Sequence, residues 1–481
     1  MSLSPVRVDQ FGGLNLDADP GDVGWTGAID LLDVEFDRPG LLRTRDYFST
    51  LVANSGLTGP LVVGVGKLGY LVCTSAAVNL YNDSGLVGSA VAPNQYYNGT
   101  AQPFGTSSAN YVYLSDAGGA NAIRRLTTAG VISAPAGMPT PLYLSRTPTD
   151  NRLVAIGTGG GSPHRVQFSN AGDAETWGAN DYIDLDPGDS EYLTGGAVHG
   201  NSLYIFKQSK VFEFYGTATD SSGNPIFSNR AIRGIAGAEM CPVAAPDGVY
   251  FYGYGGGSDR PSVFRVNSGG IVDVGKPISL ALASLAPSTF TIGALSRVDT
   301  IGGLTFASGS VRLLLANGGS RYVFSYGIDS GQWTIMQLTD AVFGITGYGT
   351  NNKSFIFGAG APNAPIYKRD PTNTSSDAAR TPTPRYRSGF SDLGSPDMKR
   401  IHSWRVNGSG TPTLKLSTDF GSLETGAAMT LGTSPAVAEA VRRYAPRGRR
   451  LSWQLSGTSA WSVNSLTAYV AGKRKSGEHT T

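Results

Sequence analysis

Charge is scarce in this chain of 481 residues: Lys, Arg, Asp and Glu together make up 15% of it, against about a quarter in an average soluble domain. Cysteine is nearly absent, with Cys73 and Cys241 the only two. That excludes a disulfide framework and a Cys-rich metal site, although a single bridge stays open. Cys73 lies in the apolar run Tyr70–Cys73 and reads as a small core residue. Histidine occurs four times, at His164, His199, His402 and His479. None has the HxxxH or HExxH spacing of a metal site, so they read as polar loop residues rather than ligands or bases. There is no GxSxG nucleophile elbow. No run reaches the roughly 18 apolar residues of a membrane helix, and MSLSPVRVDQFGG lacks the apolar centre of a secretory signal. The expectation is a chain made and folded in a reducing cytosol. Helix signals are few: Pro277–Ala286 (PISLALASLA) and Ala436–Arg443, the latter with Arg442 and Arg443 at the end that favours cations.

Glycine, by contrast, is abundant at 65 residues, and there are 22 Tyr and 19 Phe. Low charge with many turn formers and aromatics fits an all-β protein. The stretch Asp150–Tyr215 sets the pattern. Arg152–Ile156, Arg165–Phe168, Ser202–Phe206 and Val211–Tyr215 are short runs of Val, Ile, Phe and Tyr bounded by Gly, Asn, Asp or Ser. Asn151 and Asn201 precede strands, where Asn tolerates left-handed backbone angles.

Strand cores recur at Tyr70–Cys73, Tyr111–Leu114, Arg165–Phe168, Leu203–Phe206, Val249–Tyr252, Val311–Leu314 and Phe355–Gly358. Their starts are 41, 54, 38, 46, 62 and 44 residues apart. A period of roughly 40–50 residues with several short strands per unit is that of a β-propeller. The predicted fold is an irregular propeller of about six to eight blades over residues 51–370. A sandwich array of similar strand count is the competing fold.

Residues 1–50 form a platform segment. Leu32, Val34 and Phe36 alternate with Asp33, Glu35 and Asp37 as one half-buried strand, and Arg38-Pro39-Gly40 turns it into a hairpin with Leu41–Arg45. Residues 371–385, rich in Pro, Ser and Thr, read as a linker. Residues 386–475 read as a small β-sandwich completing the platform, in which Ile401, Ser403 and Arg405 share one face and His402, Trp404 and Val406 the other. Residues 476–481 are a frayed, disordered tail.

Chemistry is thin. The glycine stretches Gly157–Gly161 and Gly253–Gly257 are followed by strands, not by the helix a phosphate cradle needs, and read as hairpin loops. The densest acids are Asp173, Glu175, Asp181, Asp184, Asp186, Asp189 and Glu191. Asp184, Asp186 and Asp189 could hold a cation, but the loop reads first as a capped turn. Ser169–Trp177 loosely resembles the Asp-box turn of sialidase-type propellers, a structural turn even there. No catalytic, cofactor-binding or metal-binding residue is assigned, no cofactor is implied, and no enzyme activity is expected. Arg442, Arg443, Arg447, Arg449 and Arg450 are the candidate partner-binding residues, since planar guanidinium groups suit acidic surfaces. They belong to a segment, from Arg380 onward, with 15 basic and 6 acidic residues, whereas the residues before it have 23 basic and 30 acidic. Such a split suggests partners of different sign at the two ends.

Three stretches carry a family resemblance: FGGLNLDADP…DLLDVEFDRPGLLRTRDYF, the string from Asp150 to Gly216, and GFSDLGSPDMKRIHSWRVNGSG…RGRRLSWQLSG. Together they resemble the tail nozzle (tail tubular protein B-like) family of short-tailed bacteriophages. The resemblance implies a structural virion protein in a homo-oligomeric ring of about six copies, seated below a tail adaptor, with tail fibre or spike proteins as further partners. Viral DNA would pass through the ring without sequence-specific binding, and assembly would occur in the host cytoplasm. The alternative is a tail receptor-binding or glycan-processing propeller, recognisable by paired carboxylates in an aromatic-lined cleft.

Overall fold

The computed structural model describes residues 3–472 except 39–40, 54–60, 65–69, 74–76, 83–84, 92–101, 106–109, 116–121, 128–130, 159–160, 220–224, 233–236, 240–241, 256–259, 286–289, 293–294, 298–303, 308, 318–319, 339–341, 349–353, 360–364, 374–376, 379, 381, 394–397, 419–422, 424–426, 432–435 and 442–446. The environments of Cys73 and Cys241, the tip of the hairpin at 39–40, and the tail lie outside the described residues. The chain divides into two units: Met1–Tyr47 with Phe324–Gln337 and Asp370–Thr481, and Phe48–Val323 with Leu338–Arg369.

Four-stranded antiparallel meanders make up the second unit, and the sheet at residues 304–338 also draws on Phe324–Gln337 of the first. Successive sheets take residues 61–91, 102–133, 141–184, 193–232 and 243–273 as blades 1 to 5, and residues 304–338 as blade 6. Blade 7 takes three strands from residues 342–370, and its fourth is Tyr47–Val52, borrowed from near the start of the chain. The innermost strands pack side by side from blade 2 through to blade 7, and that of blade 7 (Val342–Tyr348) meets that of blade 1 (Leu61–Gly64). Seven sheets around an axis make an irregular β-propeller, within the expected range of blade number.

Continuous apolar runs follow from this arrangement, because each sheet is covered on both faces. In Ser202–Lys207 the side chains alternate. Leu203 and Ile205 join Val154, Ile156, Val166 and Phe168 of blade 3, while Tyr204 and Phe206 join Val249, Phe251 and Phe264 of blade 5. Blade 3 repeats the pattern: Leu144 and Leu153 face Tyr113 and Ile123 of blade 2. The closing strand is anchored by Phe48, 1% exposed, whose ring meets Phe357 edge-on at 4.9 Å. Phe357 in turn packs on Tyr367 at 5.4 Å.

Turn chemistry fits as well. Asn151 is left-handed (φ 54°), but in the hairpin joining His199 to Ser202 it is Gly200, not Asn201, that takes positive φ (58°). The expected helix at Pro277–Ala286 is shorter, a 3-10 turn Lys276–Ile278 leading into Ser279–Ser284. The described part of Ala436–Arg443 is a strand, Ala436–Val441, not a helix. It pairs antiparallel with Ser403–Gly408, so sheet pairing overrides the helical propensity of its alanines.

Apart from Phe324–Gln337, the first unit is a two-sheet module. One sheet runs Val34–Arg38, Leu41–Thr44, Trp461–Gly472, Lys399–Gly410, Ala436–Val441, with Leu3–Val8 and Arg447–Gly448 attached. The other runs Ala28–Leu32, Arg385–Ser388, Leu451–Ser456, Thr413–Thr418, Ala427–Ala428. The N-terminal and C-terminal segments, expected as adjacent pieces of a platform, therefore share both sheets: Val6 lies opposite Ala468, Leu42 opposite Val463, and Leu31 opposite Tyr386. Aromatics from both ends meet in the core. Trp25 stacks on Trp404 at 5.8 Å, and Tyr386 stacks on Trp453 at 5.1 Å with Phe11 edge-on to both.

The single strand expected through Leu32, Val34 and Phe36 is broken. Asp33 is left-handed (φ 53°), so Ala28–Leu32 and Val34–Arg38 enter different sheets. Asp33 is buried at this corner and fully engaged. Its carboxylate accepts from the Arg380 guanidinium and from the Thr383 N–H (3.0 Å). Its own N–H donates to the Ile335 carbonyl at 2.9 Å, and its carbonyl accepts from the Arg45 N–H at 3.0 Å. Arg380 also donates to buried Asp377 at 3.0 Å. The segment 371–385, expected as a linker, thus carries part of the buried polar core.

Two outcomes test these assignments. Phe48→Ala should destabilise the protein by about 3–5 kcal/mol, the range for a buried phenylalanine, measured by urea unfolding; a cost below 1 kcal/mol would argue against closure by this strand. Arg380→Met should cost about 3–5 kcal/mol because it strands buried carboxylates, read as a lowered midpoint of tryptophan fluorescence.

Candidate functional site

Two constellations of charge stand out. The first is on the platform, around the residues expected to bind a partner. Arg442 and Arg443 lie outside the described residues. Arg447 is in the two-residue strand opposite Arg400, and Arg449 and Arg450 are exposed in the bend that follows. The bend is tied down by Lys399, whose ammonium donates to the Arg449 carbonyl at 3.1 Å. The sheet adds arginines to this group. Arg400 and Arg405 lie on Lys399–Gly410 with exposed His402, while Ile401, Ser403, Trp404 and Val406 are buried.

Strict alternation had put Arg405 on the face of Ile401. A register shift between Ile401 and Ser403, where this strand pairs with Trp461–Gly472, leaves exposed His402 without a cross-strand partner, and Arg405 turns out to the side of Arg400. Across the sheet Arg405 is level with Thr467, and Thr467 with Arg7, which is exposed. The sheet thus presents Arg7, Arg400 and Arg405 on one outward face. Such a face fits phosphate or carboxylate partners, and its attraction weakens with salt. Neither bulge nor cross-strand row leaves a signal in one strand's sequence, so this part of the site was not legible there.

The second constellation is the acidic loop joining blades 3 and 4. Asp184 is gripped bidentately by Arg165 at 2.9 and 3.0 Å. Those bonds hold its carboxyl below the usual range. Asp186 pairs with Lys210 at 2.8 Å, and Asp189 with both Lys207 (2.6 Å) and Lys210 (2.9 Å). Lys207 is wholly buried, so its charge depends on Asp189 and on the Asp186 carbonyl at 2.9 Å. The loop carries two left-handed non-glycine residues, Asp186 (φ 41°) and Ser190 (φ 61°).

At Asp184, Asp186 and Asp189 lysine and arginine side chains occupy oxygens that a cation would need. The capped-turn reading describes the loop, since the Asp189 carboxylate also accepts from the Glu191 N–H at 3.1 Å. Further back, the Asp173 carboxylate caps Glu175 N–H and Thr176 Oγ1, and Glu175 pairs with Arg125 at 2.8 Å. Among the described residues no group of three His, Cys, Asp or Glu side chains could hold a metal ion.

No protein-family model matches the chain, and no curated protein matches it. Solved structures of similar fold include the WD40 domain of Pan2 from Neurospora crassa, at 7% identity and TM-score 0.39, covering 70% of this chain and 98% of that one. The extracellular domain of a hybrid two-component system from B. thetaiotaomicron has 9% identity and TM-score 0.38; the match covers 69% of this chain and 40% of that protein. A glycoside hydrolase has 13% identity and TM-score 0.26, covering 94% of this chain and 99% of that one.

The acidic loop gives a pH prediction. Burial works against the Asp189 charge, but the bonds from Lys207, Lys210 and the Glu191 N–H outweigh it and lower the carboxyl from 3.8 to about 2. A lowered native value means that the stabilisation is complete above the ordinary carboxylate range and is lost as pH falls through about 2. The Glu191 amide resonance should hold its position down to pH 4 and shift only below it. In Asp189→Asn that shift should be absent.

Proposed function

We propose that this chain is a structural subunit of a bacteriophage tail nozzle, a ring that forms the DNA exit channel below the tail adaptor. The observation that supports this reading is the interlocking of the two chain ends. The N-terminal and C-terminal stretches that resemble the nozzle family are hundreds of residues apart, yet pair strand by strand in one sandwich. That sandwich corresponds to the platform which the resemblance implies. Its arginine-bearing face is suited to an acidic protein partner, and the low charge of the chain suits passage of DNA, since phosphate attraction is what makes proteins grip nucleic acid. The role is one of shape and assembly in the virion.

The glycan-processing alternative needs free carboxylates at a defined separation. In the densest acidic set, Glu175, Asp184, Asp186 and Asp189 are taken up by ion pairs, while Glu191 of that set accepts from the Ser209 N–H.

Native mass spectrometry of the full chain tests the proposal. A closed ring, weakened by raised salt and by the double change Arg400→Glu and Arg405→Glu while the monomer stays folded, is the expected result. A strict monomer at every concentration, or a species that releases sugar from host-wall glycans, would overturn it.

A further inference from the structure

Blades 4 and 5 bring a third group of side chains together, independent of how copies assemble. The segment Gly237-Ala238-Glu239 is wedged between two strand ends. Ala238 N–H donates to the Lys207 carbonyl and Glu239 N–H to the Tyr252 carbonyl, each at 2.9 Å. The fit leaves no room for side chains beside it: a Cβ on Gly237 would lie 2.3 Å from the Lys207 oxygen, and one on Gly253 would strike the Gly237 oxygen. Glu239 is thus presented on fixed backbone.

Glu191 approaches from the acidic loop, held by the Ser209 N–H at 3.1 Å to Oε2. Lys207 and Lys210 are already engaged with Asp186 and Asp189. Among the described residues no lysine or arginine pairs with Glu191 or Glu239. Burial, and then the charge of Glu191, push the half-buried Glu239 carboxyl up. Beside it Tyr252 is 1% exposed, and its buried hydroxyl has no hydrogen-bond partner. Burial, and after it the charges of Tyr254 and Glu239, raise that hydroxyl. A buried hydroxyl left unpaired beside a half-buried carboxylate is costly unless something bridges them.

We infer that Glu239, Glu191 and the Tyr252 hydroxyl form a site for an organic cation, an ammonium or guanidinium group of a basic peptide. All three offer acceptor oxygens, and the surrounding carboxylates Asp186, Asp189, Glu191 and Glu239 outnumber Lys207 and Lys210. An ammonium brings three N–H donors and a guanidinium five, with a charge opposite to that of the carboxylates. Tyr192 and Tyr254, 36% and 42% exposed, offer aromatic faces at the rim of the same loops.

The test is calorimetric titration of the full chain with hexalysine, with maltohexaose and with Mg²⁺ alone. Hexalysine should bind saturably. Glu239→Gln should weaken it at least tenfold and Tyr252→Phe severalfold, whereas the equal charge change Asp329→Asn, in an exposed turn of the first unit, should leave it within twofold. Thermal melts check that each variant folds; if Glu239→Gln does not, Tyr252→Phe carries the comparison. Equal weakening by Asp329→Asn would reduce the effect to net charge and overturn the site. So would Mg²⁺ or maltohexaose binding that depends on Glu239 while hexalysine does not bind.

Discussion

A four-stranded sheet that is apolar on both faces must be covered on both, and in this protein the requirement is met only if the sheets return on themselves. The seventh blade brings three strands and lacks its fourth. Tyr47–Val52 supplies it, so the propeller is closed by a segment made before any blade. Local pairing suffices for each meander, because neighbours in sequence are neighbours in space. The last sheet alone depends on a contact across about three hundred residues, whose loop-closure entropy is met late. The edge-on packing of Phe48 against Phe357 rewards that closure.

The same logic governs the platform at its single buried corner. Moving the chain from one sheet to the other requires a left-handed residue, and Asp33 accepts that conformation while its carboxylate enters the interior. An isolated carboxylate there would be expensive. Arg380, Thr383 and the backbone partners of Asp33 convert the cost into geometric definition, since all of them are satisfied at this one residue. Buried charge elsewhere follows the pattern: Lys207 is tolerated because Asp189 and a carbonyl meet its ammonium. Charge is rare in this chain, and much of what lies inside serves to fix turns. Glu239 and Glu191 differ in having no such cationic partner among the described residues.

How much could be read before the structure varied with the range of the interaction. The strand cores of blades 3 to 5 are visible in LVAI, LYIF and VYFY, because burial on both faces demands unbroken apolar runs, and their spacing carries the blade period. The hairpin loops were legible in glycine and asparagine for the same local reason. The corner at Asp33 was not: LLDVEFD alternates well enough to pass for one strand, and only a partner some 350 residues away reveals the break. Arg405 was assigned to the wrong side because a bulge arises between strands. Ala436–Val441 was misread because a sheet edge outweighed alanine's preference for helix.

The sequence by itself determined the class of structure, an antiparallel repeat with its turns in place and its charge divided along the chain, since these depend on composition and local periodicity. Tertiary structure decided which strand closes the ring, how the two ends interlock, and which acids keep a lysine beside them. Those outcomes rest on groups far apart in the chain meeting at hydrogen-bonding distance, a condition that no stretch of neighbouring residues contains.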